Sequence, residues 1–366
     1  MKQQSSPWAA AVPALLSFFA ILALILDAET AVSAASAGLQ LCLQTVVPSL
    51  FPFLVAARLF TSSGAVEWCA RVVGPVMGPA FGLPPQGAAA LVLGLLGGYP
   101  VGAQTAATLY GERLLTKAEA ERLLAFCSNA GPAFIFGMVG GLFGSGKIAA
   151  VLFGIHIVSA LLTGLIFRPR GNQVLASSGN TIRKPASKLD FSAVMTGAVK
   201  TMGLICGCIL LFQVIVAFLE RALGTWMPPA VEIGLSGLLE LAGGCSRLPQ
   251  LEAAGLRYCM ASGFLAFGGL CVWLQTKSVI APYGLTGRYY LSGKVLQGTI
   301  AVLLTWGIQV VYPSWLPRTL PTAAFPNHAG LLRATAIVTA LFLCGLGIWC
   351  LRLRKKAGKE EALDVY

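Results

Sequence analysis

The sequence predicts an all-α, polytopic membrane protein made of two inverted repeats that contain re-entrant hairpins and broken helices, a transporter-like build. Three observations predict it. Of the 366 residues 56% are hydrophobic and only 11% are charged, whereas a soluble domain carries roughly 25% charged residues. Charge-free runs such as 8–26 and 123–146 reach the length of about 20 apolar residues that a span needs. Clusters of glycine and proline also break the apolar segments at matching places in the two halves.

The first span is expected over residues 8–26 and is read as retained, since no small-residue cleavage site precedes Asp27. An amphipathic connector (30–43) leads to an apolar segment (46–60) that opens with Val47-Pro48-Ser49-Leu50-Phe51-Pro52-Phe53. Two prolines this close are expected to bend or interrupt a helix. Residues 67–81 read as an interfacial helix. The run 86–96 is cut by Gly97-Gly98-Tyr99-Pro100-Val101-Gly102, and the helical run from Lys117 is cut by Ser128-Asn129-Ala130-Gly131-Pro132. A full span is expected at 148–167. The stretch 168–188, with Arg168, Arg170, Arg183, Lys184 and Lys188, is the most polar internal segment. Further spans are expected in 194–219, 231–241, 255–274 and 295–311. A Pro-rich loop (312–326), a last span (331–351) and a basic tail with Arg352, Arg354, Lys355 and Lys356 complete the chain.

The halves resemble each other. Gly94-Leu95-Leu96 with Gly97-Gly98 matches Gly237-Leu238-Leu239 with Gly243-Gly244. Leu124-Ala125-Phe126 matches Leu265-Ala266-Phe267 before Gly268-Gly269, and Lys147 matches Lys294. The expected units are a first span and connector (1–44), repeat 1 (45–168), a cytoplasmic basic linker (169–189), repeat 2 (190–315), and a last span with its tail (316–366). The net charge of +12 sits in short loops and at the end of the chain, which follows the positive-inside rule rather than a nucleic-acid surface. With three crossings and one hairpin per half, the basic clusters fall on one side and the repeats are inverted, as in secondary transporters.

Backbone at membrane depth cannot face lipid unpaired, so the breaks are expected to line a wet cavity. The alternative for any single break is close helix packing. Half-helix starts offer N–H groups to an anion, and Ser128 or Asn129 is expected to cap a helix that begins at Pro132. The expected solute contacts are Gly98, Tyr99, Pro100, Gly102, Gln104, Ser128, Asn129, Pro132, Gly243, Gly244, Arg247, Gly268, Gly269 and Gln275. Glu240, a carboxylate among apolar and small neighbours, is the candidate coupling residue for a proton or sodium ion. Its competing reading is a structural pair with Arg247, and Arg247 in turn could snorkel to the surface. The isosteric Glu240→Gln change is expected to fold with little penalty.

Catalysis has no visible home, and the protein is read as not an enzyme. Gly141-Leu-Phe-Gly-Ser-Gly146-Lys147 nearly spells a phosphate loop but continues with Ile148 where a hydroxyl is required, and no His-Glu-x-x-His appears. Two histidines are too few for a metal site, so no metal and no cofactor are expected. His156 is read as a helix-packing residue. The ten cysteines lack a Cys-x-x-Cys pair, and Cys206 and Cys208 lie inside a span, so they read as small buried hydrophobes.

Several motifs together carry a resemblance. Pro48-Ser49-Leu50-Phe51-Pro52-Phe53, Gly98-Tyr99-Pro100-Val101-Gly102-Ala103, Phe126-Cys127-Ser128-Asn129 with Pro132, and Phe134-Ile135-Phe136-Gly137 resemble the YlbJ-like sporulation integral membrane proteins. Gly237-Leu238-Leu239-Glu240 and the run from Phe267 to Gln275 do so as well. These proteins belong to the nucleoside recognition (Gate) domain group, related to concentrative nucleoside transporters and to the membrane part of bacterial ferrous-iron transporters. The resemblance covers residues 45–311. It implies a transporter-like fold with two hairpin-bearing repeats and a solute that is nucleoside-like or a small planar carboxylate such as dipicolinate. Cys271 and Trp273 depart from the polar residues that often stand there in the branch.

The expected function is a secondary transporter for a small polar or anionic solute in a bacterial plasma membrane, with both termini cytoplasmic. The alternative is a non-transporting scaffold or partner in a sporulation or envelope complex. The expected partners are the solute, the lipid bilayer and further copies of the chain as a homo-oligomer, without nucleic acid. Lys2, the 168–188 stretch and the tail should label from the cytoplasm, and 312–326 from outside. Single-cysteine labelling in a cysteine-free background measures this, and labelling of linker and Pro-rich loop from one side excludes the inverted arrangement.

Overall fold

The computed structural model describes residues 7–62, 65–169, 190–223 and 226–316. Lys2, the linker beyond 169, the Pro-rich loop beyond 316, the last span and the basic tail lie outside the described residues. Every regular element among the described residues is helical.

Apolar composition and length make five of these helices able to cross a membrane: Ala28–Phe60, Gly146–Ile166, Phe191–Leu223, Ala254–Tyr283 and Tyr290–Val311. A bent pair, Gly74–Phe81 with Pro85–Gly97, folds back at 104° and counts as a sixth if taken as one span. Large apolar side chains such as Leu211 on Phe191–Leu223 and Leu303, Trp306 and Val310 on Tyr290–Val311 are exposed, where water would penalise them and lipid does not. The all-α, multi-pass membrane class therefore stands.

α1 (Pro7–Leu26) is followed by α2 (Ala28–Leu41), whose first turn is capped by the Asp27 carboxylate on the Thr30 N–H. The expected interruption by Pro48 and Pro52 does not occur. A π-helical turn (Cys42–Val46), in which the Val47 N–H reaches back five residues to the Cys42 carbonyl, joins α2 directly to α3 (Val47–Ser62). The wider turn makes room for Pro48 at the start of α3, and Pro52 is accommodated inside the helix. Short helices α4 (Ala65–Val72) and α5 (Gly74–Val76) then lead into the first hairpin.

Each half presents its elements in the same order. A long helix opens the half: α2–α3, then α11 (Phe191–Leu223). A helical hairpin follows: α6 (Ala88–Gly97) with α7 (Val101–Gly111), then α12 (Pro229–Leu239) with α13 (Leu241–Arg247). A broken helix comes next. In the first half it is α8 (Lys117–Leu123), a π-helical run (Ala133–Val139) and α9 (Gly140–Leu142). In the second it is α14 (Ala254–Phe267) with α15 (Gly269–Ile280). A full helix closes each half: α10 (Gly146–Ile166), then α16 (Tyr290–Val311). α11 runs along α2 and α3, α10 packs on α14 and α16, and α15 packs on α7, so the two halves share one core. Glu121 of α8 locks them further, accepting hydrogen bonds from the Thr286 N–H (2.6 Å) and the Arg288 N–H (2.7 Å) just before α16.

Both hairpins close through paired glycines. A Cβ on Gly244 would stand 2.1 Å from Cα of Gly237, and a Cβ on Gly102 would stand 2.8 Å from Cα of Gly94. Small residues are what lets backbones approach this closely. Gly244→Ala should therefore destabilise the protein by about 1–3 kcal/mol, the usual cost of overpacking. Gly203→Ala, where an added Cβ meets nothing within 4 Å, should leave the thermal midpoint of the detergent-solubilised protein unchanged or slightly raised.

Candidate functional site

The tips of the two hairpins and the breaks of the two broken helices meet. In the first half Gly98 (φ 77°) turns the chain so tightly that a Cβ on it would come 3.0 Å from the Gly131 nitrogen in the neighbouring break. In the second half a Cβ on Gly269 would come 3.1 Å from the Leu239 carbonyl oxygen at the hairpin tip. Tyr99 crosses between the halves. Its hydroxyl donates to the Leu265 carbonyl (3.1 Å), with the Ala266 carbonyl at 3.4 Å, at the last turn of α14. A cavity opens at this junction. It is lined by Gly98, Tyr99, Ala130, Gly131 and Phe134 from the first half and by Glu240, Leu241, Ala242, Val272 and Gln275 from the second, with Val46, Leu50, Ile205 and Ile209 from the long helices. Its volume is about 40 Å³. A water needs roughly 10–15 Å³ of such space, so about three waters fit and a nucleoside does not.

Glu240 is 2% exposed and sits at the N-terminus of α13. Its Oε1 accepts from the Ala242 N–H (2.8 Å), and its Oε2 accepts from the Gly243 N–H (2.5 Å) and from Gln213 Nε2 (3.1 Å). Short helices need such a cap, and a carboxylate is the strongest one. A Cβ on Gly243 would meet Gln213 Nε2 at 2.1 Å, so glycine there keeps the cap accessible. Glu240 does not pair with Arg247.

Other expected contacts are placed elsewhere. Arg247 binds both carboxylate oxygens of Glu220 and lies 3.5 Å from Glu232. Two carboxylates hold it, and it does not line the cavity. Gln104 accepts from Arg58, which also donates to Thr201 Oγ1 (2.8 Å). Asn129 does not cap the helix after Pro132. Its Nδ2 donates to the Phe126 carbonyl (2.8 Å) and its Oδ1 accepts from Gln297 (3.0 Å). The π-helical run starts instead on the Gly131 carbonyl, which receives the Phe134 and Ile135 N–H groups. Ser128 is buried beside the Tyr290 hydroxyl. Gly98, Tyr99, Glu240 and Gln275 line the cavity. Gly268 abuts the Tyr99 ring and Gly269 abuts Leu239, while Pro100, Gly102, Pro132, Gly243 and Gly244 shape the backbone around it.

Sequence reasoning missed a buried polar cluster. Lys294 was read only as a repeat marker matching Lys147. In the structure Lys147 is exposed, whereas Lys294 is fully buried. Its Nζ donates to Gln297 Oε1 (2.7 Å), approaches the Tyr99 hydroxyl (3.4 Å) and lies 5.1 Å from the centre of the Tyr99 ring. His156, expected to be a packing residue, accepts the Ala130 N–H at Nε2 (3.1 Å), and its buried Nδ1 has no hydrogen-bond partner in the structure. The available signal was the spacing of Lys294 and Gln297, three residues apart and so on one helix face, in a helix that begins at Tyr290, five residues before the expected span.

Residues 43–222 match the family model described as nucleoside recognition (Gate). Across 385 aligned residues the chain is 27% identical to the sporulation integral membrane protein YlbJ of Bacillus subtilis (strain 168), with 91% of this chain and 93% of that protein covered. No solved structure matches the chain. The resemblance drawn from the motifs is borne out. The family match takes in the first hairpin and break, while Glu240 and Lys294 lie beyond it.

The cap revises the expectation for Glu240→Gln. Both carboxylate oxygens accept from N–H groups, so an amide would turn a donor toward donors, at about 1–3 kcal/mol for the mismatch. Glu240→Gln should therefore lower the thermal midpoint, and Glu240→Ala should lower it at least as far. An unchanged midpoint for Glu240→Gln would show that the tip rearranges to satisfy an amide.

Proposed function

We propose that this protein is a secondary transporter for a small polar or anionic solute, bound between two halves related as inverted repeats, in a bacterial plasma membrane with cytoplasmic termini. One observation carries the reading. Both hairpin tips and both broken helices converge on one buried cavity that holds a carboxylate. Paired breaks at a repeat interface are where transporters of inverted-repeat build hold their solute, and an ionisable group buried in a span is a functional candidate by default. The similarity to a nucleoside recognition family supports the same reading, with no enzymatic step and no cofactor beyond a coupling proton or sodium ion.

A cavity of about 40 Å³ corresponds to a state closed around the site. Transport then requires one half to rock against the other so that the hairpin tips part. Tyr99 and Gly268 separate in that motion, and the Gln297–Asn129 bond is broken or carried along. Small solutes and planar carboxylates demand less opening than nucleosides. A scaffold would show no such requirement.

The test is uptake and efflux of an untargeted solute mixture by vesicles with and without the protein. At least one small polar solute should accumulate or deplete in the vesicles that hold the protein and not in those without it. Unchanged solute profiles in both directions, under imposed proton and sodium gradients, would leave the scaffold as the better account.

A further inference from the structure

Apart from the cavity at the hairpin tips, the second half carries a groove of about 600 Å³ between α12, α14 and α16. Its floor is where α14 and α16 cross on glycine. Gly263 and Gly298 both line it, and a Cβ on Gly298 would stand 3.6 Å from the Gly263 carbonyl oxygen. Its rim is formed by Leu238, Leu256, Val295 and Leu303, all exposed. The polar side chains in its wall are already engaged. Thr299 Oγ1 donates to the Val295 carbonyl (2.9 Å), and Cys259 Sγ accepts from Gln309 Nε2 (3.3 Å). The groove therefore offers shape and apolar surface. An apolar cavity of roughly 150 Å³ takes one benzene ring, so this groove takes about four groups of that size.

The path of the chain brings an occupant to it. The end of α16 lies beside the start of α14, where Gln309 Nε2 donates to the Gly255 carbonyl (3.3 Å), and the described residues stop at Leu316, shortly after α16. Beyond it the sequence holds the run 331–351, apolar except for Arg333 near its start. At about 1.5 Å per helical residue this run measures about 31 Å, the apolar thickness of a bilayer. Read at helical spacing it has two unlike faces. Val338, Phe342, Leu346 and Trp349 share one, and Ala336, Ala340, Cys344 and Gly347 share the opposite one. The bulky face supplies the volume that close packing of the groove requires, and a glycine floor lets it come near. Charge agrees with the same path. The start of α16 lies beside the end of α10, where the Phe167 and Tyr289 rings meet at 5.8 Å, and Arg168, Lys277 and Arg288 stand at that end. A helix that enters beside the end of α16 and runs back along it delivers Arg352, Arg354, Lys355 and Lys356 to this face, as the positive-inside rule requires.

We propose that the groove between α12, α14 and α16 is the seat of the chain's own segment 331–351, docked as a helix antiparallel to α16 with Val338, Phe342, Leu346 and Trp349 turned into it. The inference stands without the transport reading. Antiparallel alignment puts Val338 near Leu303 and Leu346 near Val295. Gly234 and Leu238 bring α12 into the groove wall, so the docked segment bears on the outer side of the hairpin that carries Glu240 and holds it against α14. A lipid tail meets the same apolar surface, but it has no connector to α16 and no basic tail to place. A second copy finds no groove once the segment is seated.

The experiment uses the full chain in membranes. The photoreactive residue p-benzoylphenylalanine is placed at Phe342 and, in a control, at Ala340 on the opposite face, and mass spectrometry maps the adducts after irradiation. Position 342 should react within its own chain with residues 256–267 or 295–303, several-fold more than position 340 does. Cysteine pairs in a cysteine-free background give a second reading, with a protease site inserted in 317–330. Oxidation of Leu303→Cys with Val338→Cys, and of Val295→Cys with Leu346→Cys, should hold the cleaved fragments together, whereas Leu303→Cys with Leu346→Cys should not. Leu303 and Val295 are exposed, so replacing them leaves the packed interior alone. Adducts to lipid, adducts or disulfides that join two copies, or equal yields from positions 342 and 340 would each overturn the proposal. If the cysteine-free chain fails to insert, the photochemical reading decides.

Discussion

A helix broken inside a membrane releases N–H and C=O groups that have no water to turn to, and the centre of this protein is organised by how those groups are satisfied. Side chains repair both broken helices and the second hairpin. Tyr99 caps the carbonyls at the end of α14, Asn129 caps the Phe126 carbonyl, His156 receives the Ala130 N–H, and Glu240 receives the N–H groups that start α13. Tyr99 and His156 reach to a different element for this, so the repair of the backbone is also what binds hairpins, broken helices and long helices into one core. Removing any of these side chains would leave an unsatisfied polar group in a low-dielectric interior, where it costs far more than at a surface.

The two halves share an order of elements but not their chemistry. The second half supplies the buried carboxylate on its hairpin and the buried ammonium on its closing helix. The first supplies a glycine and a tyrosine at the equivalent tip, and its matching lysine, Lys147, remains exposed. Glycine pairs, Gly94 with Gly102 and Gly237 with Gly244, let the hairpin of each half close, and that shared order leaves open which half carries ionisable groups.

By itself the sequence determined the helical, multi-pass membrane class and the breaks at Gly97–Gly102 and Ser128–Pro132, while the second hairpin, matched at Gly243-Gly244, turns instead at Glu240. Hydropathy, glycine and proline act locally, and a carboxylate in an apolar run is conspicuous wherever the chain goes. The sequence did not determine the partners. Arg247 looked free and is held by Glu220 and Glu232. Asn129 looked like a helix cap and instead joins Gln297, 168 residues away. Lys294 looked like the edge of a span and is buried at the centre. Pro48 and Pro52 looked like a break, and a π turn absorbs them. Hydrogen-bond partners and depth depend on which helices come together, and that is decided only when the halves pack.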